Sequence, residues 1–199
     1  MPLWIPDDVA GHCCGVPFGS KGYTDAEESM RARTVAAIER WTDGGKLPLV
    51  IDANSCTQGL RATGGTVPGV ALDAIEWVQR LLPALSIPRK VGSVAVHPTC
   101  SARHMGLLHR LEEIMAAMAD EVVVPAAATC CGFAGDRGML HPELTAAATA
   151  PEAAAVAAID GDAHASCNRT CELGLARATG RPYRHVLELL EAATRSAGA

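Results

Sequence analysis

A Cys-Cys-Gly unit occurs twice in this chain of 199 residues, and the duplication constrains the fold more than any other feature. Cys13-Cys14-Gly15 is followed by Gly19-Ser20-Lys21-Gly22, and Cys130-Cys131-Gly132 by Gly135-Asp136-Arg137-Gly138. Each unit is answered downstream by a cysteine in a similar frame, Cys56-Thr57-Gln58-Gly59-Leu60 and Cys171-Glu172-Leu173-Gly174-Leu175. Cys13 and Cys130 are 117 residues apart, and Cys56 and Cys171 are 115 apart. Near-equal offsets are the mark of two copies of one unit. We divide the chain into a first lobe, 1–88, and a second lobe, 89–199. Thirty residues of strand and helix carrying Cys100 precede the second unit, and the first has no such lead, so the first lobe reads as incomplete at its N-terminus.

Strand and helix signals alternate. Asp25 to Trp41 has helical spacing, with Thr24 or Asp25 as the cap and Gly44-Gly45 as the stop. Leu47 to Ile51 is a short apolar run between turn residues, a buried strand with Asp52 to Cys56 as its exit loop. Ala71 to Leu85 reads as one helix ending near Pro83. In the second lobe, Val91 to Val96 is a strand with His97 to Cys100 as its exit. Ser101 to Ala119 is an amphipathic helix, and Glu121 to Pro125 a strand. Pro142 to Ile159 is a helix interrupted at Pro151, Ala163 to Cys167 a strand, and Val186 to Thr194 a terminal helix. Trp4-Ile5-Pro6 reads as the end of a strand. The expected architecture is α/β, with a small, mostly parallel sheet flanked by helices in each lobe. The cysteines fall where strands exit, the edge at which ligands sit in open α/β sheets.

Composition narrows the function. Hydrophobic residues make up 49% but aromatics only 4%, so the core is built from aliphatic side chains. The net charge is −5, and no basic patch interleaved with aromatics points to nucleic acid. No apolar run approaches the roughly 18 residues of a membrane span, and no signal peptide is visible in Met1-Pro2-Leu3-Trp4. The expected location is cytoplasmic, or peripheral at the inner face of a membrane.

Eight cysteines in such a chain favour metal or redox chemistry over structural bridges. Adjacent cysteines have Cα atoms about 3.8 Å apart, below the roughly 4.4–6.8 Å span of ordinary disulfides. Cys100, Cys130, Cys131, Cys167 and Cys171 could converge on one edge, with Cys167 and Cys171 on one face of a helical turn. Five thiolates exceed the four of a zinc site and suit an iron–sulfur cluster better. Cys13, Cys14 and Cys56 are weaker metal candidates, with His12 the nearest fourth donor. His97 is as consistent with capping or support as with ligation. Asp136 and Arg137 are expected to pair with each other or with nearby backbone. A functional alternative has Lys21 and Arg137 offset the charge of the thiolates.

The stretches 11–22, 52–56, 97–101, 129–138 and 168–174 resemble the cysteine-rich CCG domain of the heterodisulfide reductase type. The similarity is greatest to the C-terminal part of bacterial FAD-dependent, iron–sulfur D-lactate dehydrogenases and to the glycolate oxidase iron–sulfur subunit. The resemblance implies a non-cubane [4Fe-4S] cluster on Cys100, Cys130, Cys131, Cys167 and Cys171. It implies flavoprotein and ferredoxin-like modules as partners, with FAD in the upstream module and a quinone or cytochrome as acceptor. The family motif closes with Cys-x-x-Cys, whereas this chain has Cys167-x-x-x-Cys171. Alone, the chain is expected to have no lactate dehydrogenase activity. Two alternatives are a structural zinc or metal-free docking module of the same enzyme, and a thiol-redox module in which Cys130 and Cys131 cycle through a disulfide.

Overall fold

The computed structural model describes residues 3–62 and 67–195. Two parallel sheets flanked by helices bear out the α/β expectation. Trp4 to Pro6 has no strand, in contrast to the sequence reading. The first Cys-Cys-Gly unit leads into α1 (Val16–Gly19) and α2 (Thr24–Trp41). α2 is preceded by Tyr23 and has no side-chain cap, so neither Thr24 nor Asp25 plays that part. β1 (Leu49–Ile51) is shorter than expected and only half-buried. Cys56 does not lie in a loop: it occupies the first turn of α3 (Asn54–Ala62).

The expected helix from Ala71 is two elements, β2 (Ala71–Asp73) and α4 (Ala74–Leu81), followed by a tight turn over Leu82–Ala84. Asp73 divides them. Its carboxylate accepts from the Ile75 N–H at 2.9 Å, and Glu76 reaches back to the Asp73 N–H at 2.8 Å. This capping box starts the helix three residues late and leaves Ala71–Asp73 free to pair in parallel with Leu49–Ile51.

The second sheet is parallel throughout, in the order β4-β3-β5-β6. Its strands are β3 (Val91–His97), β4 (Ala119–Val123), β5 (Ala163–Ser166) and β6 (Tyr183–His185). β3 lies between β4 and β5, and its last four residues are all buried, as an inner parallel strand requires. The expected helix from Ser101 is broken into α5 (Cys100–His104) and α6 (Leu108–Met118). Gly106 sits between them at φ 69°, a conformation that ends a helix. After α7 (Arg137–Leu140) comes α8 (Pro142–Ala157), which runs on through Pro151. Proline forfeits one hydrogen bond and crowds one carbonyl, but the buried face Thr145, Thr149, Glu152 and Val156 packs against α9 (Arg169–Thr179) and holds the helix together. α10 (Val186–Thr194) closes the chain, with His185 Nδ1 accepting from the Leu187 N–H at 3.1 Å as its cap.

The order β1-α3-β2-α4 is repeated as β5-α9-β6-α10. Among the described residues the first lobe has no counterpart of β3 and β4. The main core gathers Val94, Val96, Leu111, Ile114, Met115, Met118, Val186 and Leu189, and Ile75 of α4 joins it from the first lobe.

The two glycine-and-basic turns bind each other. Lys21 Nζ lies 2.9 Å from Asp136, Arg137 donates to the Ser20 carbonyl at 2.7 Å, and Ser20 Oγ donates to the Ala134 carbonyl at 3.1 Å. Asp136 and Arg137 therefore do not pair with each other, and Lys21 is engaged by a carboxylate instead of facing thiolates. The Lys21–Asp136 pair is partly solvated. Lys21→Ala is expected to cost about 0.5–1 kcal/mol, measured by urea denaturation. A loss near 3 kcal/mol would show the pair to be a buried lock.

Candidate functional site

Each Cys-Cys-Gly unit is built the same way. Gly15 and Gly132 have φ 89° and 69°, and a Cβ on either would lie 2.6 Å from the Glu27 carbonyl oxygen or 2.7 Å from the Ala148 methyl. Glycine is thus required twice over, by conformation and by space. The residue after each glycine, Val16 or Phe133, lies against a glycine of the answering helix, Gly59 or Gly174. A Cβ on Gly59 would collide with the Val16 side chain, and one on Gly174 would lie 3.3 Å from the Phe133 ring. This close approach brings the second cysteine of each unit onto the answering one. Cys14 Sγ is 3.0 Å from Cys56 Sγ, and Cys131 Sγ is 2.8 Å from Cys171 Sγ.

In the second lobe the chain of sulfurs is longer. Cys100, at the start of α5, lies near enough to Cys130, and Cys130 to Cys131, for each to shift the other's thiol, and Cys130 Sγ accepts from the Gly132 N–H at 3.4 Å. Strand exits from β3 and β5 and the loop after β4 supply these four residues at the carboxyl edge of the sheet. Their protonation alternates. Cys100, then Cys131, hold the Cys130 thiol far below its ordinary range, and Cys131 lowers Cys171. Cys100 is pushed up chiefly by its neighbour Cys130, and Cys131 by Cys130 and then Cys171.

A buried cation faces it. His97 is wholly buried at the end of β3, and its Nδ1 donates to Glu152 of α8 at 2.8 Å. Burial works to lower its pKa, but the Cys171 sulfur and the Glu152 carboxylate prevail and raise it to about 9. Its Nε2 is buried without a hydrogen-bond partner. A charged imidazolium next to two thiolates offsets charge that burial would otherwise penalise.

Cys167 lies apart from the four. It precedes α9, so it does not share a helical turn with Cys171. Its sulfur is fully buried in the main core, 3.7 Å from Thr99 Oγ1, and burial pushes its thiol up to about 12. In the first lobe, Cys13 lies beside Cys14, and His12 packs edge-on against Trp41 at 5.0 Å with its Nδ1 buried and unpartnered. Among the described residues, no three His, Cys, Asp or Glu side chains are arranged to hold a single metal ion.

A polar network joins the lobes below the thiols. The buried Asp73 carboxylate accepts from Asn54 Nδ2 at 2.7 Å and from Thr57 Oγ1 at 2.8 Å, and Thr99 Oγ1 donates to Asn54 Oδ1 at 3.1 Å. Sequence reading missed this network and Glu152. The Asp73-x-x-Glu76 capping pattern was a usable signal for Asp73. For Glu152 the signal was a carboxylate in helical register with Thr145 and Thr149 on an alanine-rich helix whose other carboxylate, Glu143, is in its first turn.

No helix among the described residues is long and apolar enough to cross a membrane. The family model described as a cysteine-rich domain, CCG, matches residues 6–61 and 94–176. One component of the anaerobic glycerol-3-phosphate dehydrogenase of Escherichia coli strain K12 is 30% identical over 141 residues, 63% of this chain and 35% of that protein. The same component in Escherichia coli O157:H7 matches to the same extent. The chain thus spans about a third of the length of the curated relatives it matches. With its two matched segments each carrying a Cys-Cys-Gly turn and an answering cysteine, the chain belongs to the cysteine-rich CCG domain family.

Proposed function

We propose that this chain is the iron–sulfur electron-transfer part of a larger flavin-linked dehydrogenase, with Cys100, Cys130, Cys131 and Cys171 as the cluster ligands. The carrying observation is the continuous run of four sulfurs against a buried imidazolium. The donor set fits such a group: four sulfurs from four separate segments, two already favoured as thiolates, as iron requires. When bound, the cluster, a [4Fe-4S] centre of cubane or non-cubane form, supplies one-electron storage between a two-electron donor and its acceptor. The protein's residues set the conditions for that step. Glu152 holds the His97 ring in place through Nδ1, leaving Nε2 on the thiolate side of a wholly buried ring. Phe133, with Leu173 beside it, excludes water from Cys131 and Cys171. Cys167 serves here as a core residue beside the site.

A single zinc ion is less consistent with these side chains, because no three donors surround one point among the described residues. In the parent enzyme, a flavoprotein module carrying FAD would oxidise the substrate, with ferredoxin-like centres between it and this chain. The family resemblance points to D-lactate or glycolate as substrate, and the curated relatives to glycerol 3-phosphate. Electrons would leave to a quinone or cytochrome at the inner face of the membrane.

A panel of single serine variants purified without oxygen tests the ligand set. Cys131→Ser and Cys171→Ser are expected to lose nearly all bound iron, whereas Cys167→Ser keeps it. Iron retained in Cys131→Ser, or lost only in Cys167→Ser, would refute the assignment.

A further inference from the structure

A cavity of about 290 Å³ lies between the lobes, away from any sulfur. Asp52 and Ala53, at the exit of β1, line it from the first lobe. Arg169 and Glu172 of α9, His185 at the end of β6 and Glu188 of α10 line it from the second. It is far larger than one water needs and just below the roughly 300–1,000 Å³ of pockets for drug-sized ligands. Its walls hold hydrogen-bonding groups that the protein leaves unpaired. Glu172 is 2% exposed. Its Oε2 accepts from Arg169 at 2.8 Å, and its Oε1 is buried with no partner. His185 Nδ1 accepts from the Leu187 N–H, which puts the proton of the neutral ring on Nε2. That Nε2 is also buried without a partner. The Asp52 carboxylate is exposed and in no ion pair or hydrogen bond among the described residues. A buried acceptor and a buried donor left unpaired are costly and uncommon in a folded chain.

The charges say which occupant pairs them. Arg169 sits on Glu172, and Arg184 lies 3.5 Å from Glu188, so of the three carboxylates Asp52 alone has no cation. The unmet needs are a positive donor for Asp52 and Glu172 Oε1, and an acceptor for His185 Nε2. A metal ion does not meet them: no three acidic or histidine side chains among the described residues enclose one, and it brings no acceptor. We propose that the cavity binds a free α-amino acid. Its ammonium sits on Asp52 and Glu172, and its carboxylate accepts from His185 Nε2 and from the guanidinium N–H groups that Arg169 does not give to Glu172. The ligand ties the lobes together, because Asp52 belongs to the first and the other three to the second. No metal and no electron-transfer step enters the proposal, so it stands or falls apart from the reading of the thiols.

The test is saturation-transfer difference NMR on the whole chain, purified without oxygen, with each of the common protein amino acids in turn. Titration calorimetry then gives the affinity of those that bind. At least one amino acid is expected to bind, and the acid that lacks only its ammonium (propionate in the case of alanine) is expected not to. Asp52→Asn and Glu172→Gln each remove a negative charge and keep the shape, and each is expected to weaken binding about tenfold or more. Glu172 is buried, so its variant is first checked for folding by circular dichroism. Asp52 is exposed, and its variant decides if the other does not fold. Iron content of the same samples reads the thiols independently. No binding by any of the amino acids, equal binding of the ammonium-free acid, or an affinity unchanged in Asp52→Asn would overturn the proposal.

Discussion

Glu152→Ala is expected to lose about 3–5 kcal/mol of stability, because it strands a buried imidazolium without its carboxylate. The pair is enclosed, with His97 and Glu152 side chains 0% and 3% exposed. The folded pKa of His97 is raised from 6.5 to about 9. Its favourable contribution is therefore complete below about pH 6.5 and is lost as pH rises through about 9. Urea denaturation between pH 6.5 and 9.5 should show stability falling across that window in the native chain, with a shallower fall in Glu152→Ala. Equal slopes in the two chains, or a loss below 1 kcal/mol, would mean that His97 is neutral and the pair unimportant.

Phe133→Ala is the second large effect, also about 3–5 kcal/mol, from lost burial and the cavity left behind. Phe133 is fully buried and packs with Cys131 and Cys171, and its ring touches the positions of Gly138 and Gly174. Phe133→Leu keeps most of the volume and should cost about 1.5 kcal/mol or less. Denaturant midpoints check both. The alanine chain should also release bound iron faster, since Phe133 sets the approach of the Cys-Cys-Gly turn to α9. A loss below 1 kcal/mol with iron retained would place the support of the thiols elsewhere.

What sequence could show followed from how far each signal reaches. α2, β3 and α10 were legible because apolar periodicity and their stop signals are local. The three-residue strands β2 and β6 were not: β2 is continuous with the apolar face of α4, and only the Asp73 capping box separates them. Gly106 breaks what periodicity alone reads as one helix, while Pro151 fails to break α8 because packing against α9 outweighs one lost hydrogen bond. The repeat set each Cys-Cys-Gly unit against one downstream cysteine, but did not show which of the two adjacent thiols meets it. It could not show that Cys167 turns into the core, since that follows from where β5 ends and α9 begins. The Lys21–Asp136 and Arg137–Ser20 contacts join positions more than a hundred residues apart, and side-chain type alone does not say which lobe a charge will face.

Iron, acid-labile sulfide and zinc per chain, measured on protein purified without oxygen and paired with an EPR spectrum, test the central claim most directly. The account predicts about four irons and four sulfides per chain, bound as one paramagnetic centre on reduction or oxidation. About one zinc per chain, or a folded chain with no metal under those conditions, would contradict it.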